Sequence, residues 1–185
     1  MSSSNRSVTV LAIAALTASC ATTGTDSPPP TTGPGLGRAA TAQEIAAWDI
    51  SIPPSGAGLP PGSGSAREGL KVYEQKCLAC HGAKGTGKPA DALAGGIGSL
   101  ASNKPLRTVG SYWPYATTLF DYVRRAMPMN NPLSLSDDEV YAVSAYVLFL
   151  NGIVSEDAVM NAQSLPQVKM PNRDGFVSDW PPRRN

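Results

Sequence analysis

The stretch Cys77-Leu78-Ala79-Cys80-His81 decides how the rest of this chain is interpreted. Two cysteines separated by two residues and followed directly by histidine form the attachment pattern of a c-type haem. Each thiol bonds to one vinyl group of the porphyrin, and the histidine is then held where its imidazole can ligate the iron. The pattern therefore predicts one covalently attached haem c on Cys77 and Cys80, with His81 as an axial ligand.

Two other kinds of site use a Cys-x-x-Cys pair. A redox-active pair of the thioredoxin type belongs to a βαβ pattern, which the sequence around Cys77 lacks. A zinc site needs further cysteine or histidine ligands, and none lies nearby in the sequence. Haem attachment is therefore the favoured interpretation.

The second axial ligand is constrained by composition, because His81 is the single histidine of the chain. Methionine sulfur is the usual alternative and raises the reduction potential. Met127 ends an apolar helical pattern and precedes Pro128, which restricts its backbone. We predict Met127 as the ligand and Met129 as the fallback, and we rank Met170 third; ordinary core packing of Met127 is the competing interpretation.

Length and charge limit the class of protein. The 185 residues suit one domain with extensions, and a formal net charge of +1 gives no indication of a nucleic-acid partner.

Residues 1–20 carry one charged side chain, Arg6, followed by a short apolar run, which is typical of an export signal. The protein is therefore expected in the periplasm, where c-type haem is attached.

Cys20 suggests a second feature of this signal. Small residues precede it as in a bacterial lipoprotein, which predicts a lipid anchor at Cys20. The fit is imperfect, because Leu16 stands four residues before the cysteine where three is usual. Cleavage after Ala21 is the alternative.

The remaining chain divides by composition. Residues 21–64 are rich in proline and glycine and are expected to be a tether and N-terminal extension, in which Trp48 packs onto the main domain. Residues 65–152 are expected to form the cytochrome c domain. Residues 153–185 form a C-terminal extension that lies along the domain or along a partner.

Three capping boxes predict where helices begin: Thr41 with Glu44, Ser65 with Glu68, and Ser136 with Glu139. A further helix is expected to open at Tyr112-Trp113-Pro114, with proline in its first turn, and to end at Met127. Gly69, Tyr73 and Cys77 share one face of the helix over 66–76, and Gly69 predicts close approach of the helix over 140–150.

Several residues around the motif are candidates for contact with the haem. The glycine-rich segment 82–98 is expected to wrap one side of it, with a backbone carbonyl near Pro89 accepting from His81. Arg107 and Trp113 are candidates for a haem propionate, or else an ordinary surface ion pair and a core aromatic. Four lysines flank the motif and either steer an acidic partner or form a solvated surface: Lys71, Lys76, Lys84 and Lys88.

The motifs together resemble a known family. Gly69, Tyr73, the Cys77–His81 motif, Met127-Pro128 and Tyr146 resemble class I cytochrome c. More narrowly, the chain resembles the cytochrome subunits of bacterial sulfite dehydrogenase and of the related sulfane dehydrogenase. The strings that carry this resemblance are Tyr112–Pro128, Asp138–Val143, Leu150–Gly152 and Lys169–Phe176.

The resemblance implies an all-α fold of three to five helices around one covalently attached haem, with Cys77 and Cys80 covalent, His81 proximal and Met127 distal. It implies electron transfer and no enzymatic activity of the chain on its own. It also implies a molybdenum-containing sulfite or sulfur dehydrogenase partner, of the sulfite type because the chain has one haem motif, and a downstream cytochrome c or oxidase. A stand-alone or lipid-tethered shuttle, and a haem enzyme or sensor with an open iron site, are the alternatives.

Overall fold

The computed structural model describes residues 36–177 and 179–180. The export signal expected at residues 1–20, the lipid anchor expected at Cys20 and the first part of the tether lie outside these residues. The compact unit that carries the fold spans Thr41–Asn185.

The regular secondary structure of the described residues is mainly helical. The helices are α1 (Ala42–Trp48), α2 (Ala66–Lys76), α3 (Leu78–His81), α4 (Val109–Tyr112), α5 (Ala116–Ala126) and α6 (Asp137–Leu150). Two short strands, β1 (Ser63–Ser65) and β2 (Val159–Asn161), pair antiparallel. Short 3-10 turns lie at Ala83–Gly85 and Leu165–Gln167.

All three predicted capping boxes are present. The side chains of Thr41, Ser65 and Ser136 each accept from the backbone N–H three residues on, and the glutamate there accepts from the cap residue. A fourth box, which the sequence did not suggest because serine takes the place of glutamate, joins Thr108 to Ser111 at α4. These caps satisfy N–H groups that the first helical turn leaves without partners.

Helices α2 and α6 pack directly against each other at Gly69, as predicted. A Cβ atom at Gly69 would overlap the Ala142 carbonyl and stand 2.8 Å from Cβ of Tyr146. The absent side chain therefore lets the two backbones approach. One turn further along α2, the rings of Tyr73 and Tyr146 pack with centroids 5.2 Å apart.

The main core lies between α5, α6 and the C-terminal extension. Phe120 of α5 and Tyr141 of α6 are fully buried and stack with ring centroids 4.4 Å apart. Met160, Leu165 and Met170 of the extension are buried in the same cluster. This segment therefore lies along the domain, and its strand β2 attaches it to the residues just before α2.

The N-terminal extension is held by hydrogen bonds to α5 and α6. The Ile52 N–H donates to Asp121 at 2.9 Å, the Thr117 hydroxyl donates to the Pro54 carbonyl at 3.2 Å, and the Tyr141 hydroxyl donates to the Pro60 carbonyl at 2.9 Å. Residues 52–60 are thereby fixed on the domain before the chain enters β1.

Two sequence expectations are wrong in this region. Trp48 does not pack onto the domain: it is 87% exposed, and α1 buries none of its residues, because the attachment of the chain begins only at Ile52. Pro114 does not open a helix either, because α4 ends at Tyr112 and α5 begins at Ala116, which leaves the proline in the link between them. No helix of the described residues is long and apolar enough to cross a membrane.

Asp121 is the polar anchor of the N-terminal extension, and its replacement by alanine is expected to lower the free energy of unfolding by about 2–4 kcal/mol. The change removes the acceptor of the buried Ile52 N–H and the ion-pair partner of Arg125. Denaturant unfolding of the haem-loaded protein measures it. Arg67→Ala, which breaks an exposed ion pair to Asp157, is the matched control and should cost much less, because water screens the two charges. Equal losses would contradict the anchoring role.

Candidate haem site

The attachment motif sits at the junction of α2 and α3. Cys77 ends α2 with a backbone that leaves the helix, at φ −121° and ψ −36°, and α3 then carries Leu78–His81. Gly82 ends this turn with φ +71°, a conformation that glycine adopts without a steric penalty. The two cysteines and the histidine are therefore presented on a single helical turn.

Backbone hydrogen bonds fix this turn from the loop that follows. The His81 carbonyl accepts from the Gly87 N–H at 2.7 Å, and the Cys80 carbonyl accepts from the Ala90 N–H at 2.8 Å. The Tyr73 hydroxyl donates to the Gly82 carbonyl at 2.8 Å, which ties the loop back to α2. The glycine-rich segment thus folds against the motif that it follows.

The imidazole of His81 is oriented by one hydrogen bond. Its Nδ1 lies 2.8 Å from the Asp91 carbonyl oxygen. A carbonyl can only accept, so Nδ1 carries the proton and Nε2 keeps the lone pair that a metal needs. The sequence placed this carbonyl near Pro89, and the structure assigns it to Asp91, two residues further on.

The two cysteines of the motif lie in different surroundings, and those of Cys77 are unlike those of a redox-active cysteine. Both are free thiols, and the half-buried Cys77 packs against the cluster of Tyr73, Val143 and Tyr146. Burial, with a smaller contribution from Cys80, raises the pKa of Cys77 to about 11. A redox-active cysteine needs a lowered pKa. In the part of the chain that the structure describes, no group of three or more His, Cys, Asp and Glu side chains is placed to hold a metal ion.

The four methionines that the structure describes differ in environment. Met160 and Met170 are enclosed in the main core. Met129 is 80% exposed. Met127 is half-buried at the end of α5, where its N–H donates to the Val123 carbonyl and its backbone is extended. Met127 alone combines partial burial with a position outside the core.

A polar cavity of about 230 Å³ lies between the end of α2 and the segment that follows α5. It is lined on one side by Gln75 and Lys76, next to Cys77, and on the other by Pro128, Asn130, Asn131 and Ser134, which follow Met127. The end of α2 and the segment after α5 therefore border one opening, although 50 residues of sequence separate Cys77 from Met127.

The surroundings fit an apolar macrocycle. Leu78 within the motif, and Ile97 and Leu106 in the loops after it, are large apolar side chains that remain 38%, 51% and 45% exposed. Leu93 and Val123 are partly buried and contact both apolar clusters of the domain. Leu78 lies within the attachment motif, beside two thiols and an oriented imidazole, and these groups match the donor set of haem c.

The remaining candidates for contact with the haem are Arg107, Trp113 and the four lysines around the motif. The guanidinium of Arg107 lies 5.5 Å from the Tyr112 ring centre, and Trp113 packs edge-on against Tyr122 at 5.7 Å. The lysines of the motif region are exposed: Lys71, Lys76, Lys84 and Lys88. The sequence analysis gave no structural role to Asn151, because a buried amide that reaches a distant loop leaves no local pattern.

Tyr73→Phe tests the link between α2 and the loop. Below pH 10 the lost hydrogen bond should cost about 1 kcal/mol of unfolding free energy. Burial, then Cys77, raises the pKa of Tyr73 to about 12, so its stabilisation is complete below the ordinary pKa near 10 and is lost between pH 10 and 12. The variant should therefore lose less stability than wild type in that window. Urea unfolding at several pH values measures the free energy of unfolding and its pH dependence. Tyr122→Phe, at an exposed ring, is the control and should change neither of them.

Comparisons with known proteins agree with this site. A family model described as cytochrome C oxidase, cbb3-type, subunit III matches residues 64–147. A chain in the crystal structure of the sulfane dehydrogenase SoxCD from Paracoccus pantotrophus is 44% identical, with a TM-score of 0.74 over 80% of this chain and 73% of that one. No curated protein matches. The helices, the attachment turn and these similarities lead to one conclusion: the chain belongs to the cytochrome c family, with the class I fold, and within it to the cytochrome subunits of the sulfite and sulfane dehydrogenase type.

Proposed function

We propose that this protein is a monohaem cytochrome c subunit that accepts electrons from a molybdenum-containing sulfite- or sulfane-oxidising dehydrogenase. It then passes them to another cytochrome c or to an oxidase. The observation that carries the proposal is the 44% identity to a chain of a sulfane dehydrogenase complex, which extends over 80% of this chain and therefore beyond the haem motif. The family model supports electron transfer by a cytochrome c domain.

The residues that would hold the haem are Cys77 and Cys80 as covalent attachment points, with His81 and Met127 as ligands of its iron. When bound, haem c supplies an iron that exchanges single electrons. His81 presents Nε2, because the Asp91 carbonyl holds its Nδ1 proton. Tyr73 and the apolar cluster around Cys77 keep water from the inner side of the site.

Such a role needs no substrate-binding group in this chain, so we assign the chemistry on sulfur to the partner and no catalysis to this chain on its own. We place the protein in the periplasm, with Cys20 as a candidate lipid anchor. That location matches the site of haem c attachment and of an exported partner.

The test is purification of the tagged full-length protein from its native host, with the haem spectrum recorded before and after substrate. We expect a molybdenum-containing protein to co-purify, and sulfite or a sulfane-sulfur donor to reduce the haem. The substrate that gives the faster reduction identifies the partner's type. A haem that stays oxidised with both substrates, in a preparation without molybdenum, would favour the stand-alone shuttle.

The control is the same protein produced alone in a host that attaches haem c. Dithionite should reduce this preparation, whereas sulfite should leave it oxidised. Direct reduction by sulfite without a partner would contradict the assignment of sulfur chemistry to another subunit.

A further inference from the structure

Asn151, the residue that follows α6, has a buried side chain that pairs with three backbone groups. Its Nδ2 donates to the Val147 carbonyl at 2.9 Å and to the Leu93 carbonyl at 3.0 Å, and its Oδ1 accepts from the Gly95 N–H at 3.1 Å. Two acceptors at one end and one donor at the other settle the orientation of the amide. Only Val147 belongs to its own helix, so two of the three bonds serve a distant loop.

The same loop segment is held from its other side by α4. The Leu93 carbonyl also accepts from the Val109 N–H at 3.3 Å, and the Gly95 carbonyl accepts from the Thr108 hydroxyl at 2.6 Å. Residues 93–95 are therefore clamped between the end of α6 and the beginning of α4. Asn151 contributes the α6 side of this clamp.

Gly110 keeps the space that the amide occupies. A Cβ atom there would lie 2.5 Å from Cγ of Asn151. Gly110 has no positive φ, so its backbone conformation does not require glycine. Glycine is needed at this position because any side chain would overlap Asn151. The packing of α4 therefore depends on the position of the Asn151 side chain.

The clamp lies two residues from the carbonyl that orients the histidine. Asp91 accepts the Nδ1 proton of His81 at 2.8 Å, and Leu93 is the first clamped residue. We propose that Asn151 is a positioning residue for the axial histidine: by fixing residues 93–95, it fixes the Asp91 carbonyl and the strength of its hydrogen bond to His81. The inference rests on the proposed function, because it takes His81 as the iron ligand.

The hydrogen bond of His81 is expected to affect the reduction potential of the haem iron. A firm hydrogen bond from Nδ1 to a carbonyl makes the imidazole a stronger donor at Nε2, which favours oxidised iron. A loosened bond weakens that donation. Loss of the Asn151 clamp should therefore raise the midpoint reduction potential.

The experiment uses the haem-loaded full chain, purified without any partner. Asn151→Leu removes all three hydrogen bonds at similar volume, and Asn151→Asp keeps only the acceptor for Gly95. We expect a positive shift of the midpoint potential in both, larger for leucine, and faster solvent exchange of the Nδ1 proton of His81 by NMR. Thr117→Val is the matched control, because it removes a buried side-chain hydrogen bond to Pro54 that is far in sequence from the clamp. It should lower stability without changing the midpoint potential or the exchange rate of the Nδ1 proton.

Gly110→Ala tests the same inference without altering Asn151, because the added methyl displaces the amide. Gly110→Ala should also raise the midpoint potential. If the Asn151 variants do not fold, this variant tests whether Asn151 positions His81. An unchanged potential and unchanged exchange, together with lower stability, would reduce Asn151 to a helix cap and overturn the proposal. Since no dehydrogenase is present, failure to find a molybdenum partner would leave this result unaffected.

Discussion

Gly69→Ala is expected to lower the free energy of unfolding by about 3 kcal/mol or more, out of the 5–15 kcal/mol typical of a domain. The added methyl would overlap the Ala142 carbonyl, whose carbon lies 2.5 Å away, and it would press on Tyr146. Backbone atoms cannot move aside as a flexible side chain can, so α2 and α6 must separate. The general preference of helices for alanine over glycine acts in the opposite direction but is worth only about 1 kcal/mol.

Separation of the two helices would also disturb the haem site. Tyr73 packs on Tyr146 one turn after Gly69, and Cys77 follows one turn later on the same face. The yield of haem-loaded protein should therefore fall together with stability. Denaturant unfolding and haem absorbance per polypeptide measure the two effects.

The matched control is Gly98→Ala. Gly98 has a φ of +79° and no atom near the added methyl, so alanine there carries only the backbone penalty of about 1–2 kcal/mol. Comparable losses in the two variants would contradict the tight helix contact at Gly69.

Met127→Ala is expected to abolish the weak long-wavelength absorption band that a methionine-ligated haem c shows in its oxidised state. The thioether raises the reduction potential, so the potential should fall as well. The geometric reason is that Met127 is half-buried at the end of α5, next to the segment that borders the cavity opposite Lys76. Absorbance and a redox titration of the haem-loaded protein provide both measurements.

Met129→Ala is the control, because this side chain is 80% exposed and lies two residues further along the same segment. It should leave the band and the potential unchanged. If Met129→Ala removes the band and Met127→Ala retains it, the assignment of the ligand is wrong. A five-coordinate, high-spin spectrum in the reduced wild type would instead favour an enzyme or sensor with an open iron site.

Local patterns in the sequence were sufficient to predict much of the fold. The capping boxes at Thr41, Ser65 and Ser136 depend on contacts over three residues, and all three are present. Gly69 predicted a close helix contact, because glycine is costly inside a helix unless the space is needed. The predictions that failed, for Trp48 and Pro114, concerned packing and the link between two helices, which depend on neighbours far away in the chain.

The sequence alone determined the chemistry of the site. Cys77, Cys80 and His81 are adjacent in the chain, so covalent spacing places them together whatever the rest of the molecule does. Because the chain has a single histidine, methionine is the expected second ligand.

Tertiary structure decided the surroundings of these groups. It placed Asp91 at the imidazole, Asn151 at the loop that carries Asp91, and the C-terminal extension in the core. The contacts of Asp91 and Asn151 pair polar groups that lie 10 and 58 residues apart in the chain. Such pairings arise when a compact fold must satisfy every buried N–H and C=O group, and no local sequence pattern records which partner each group finds.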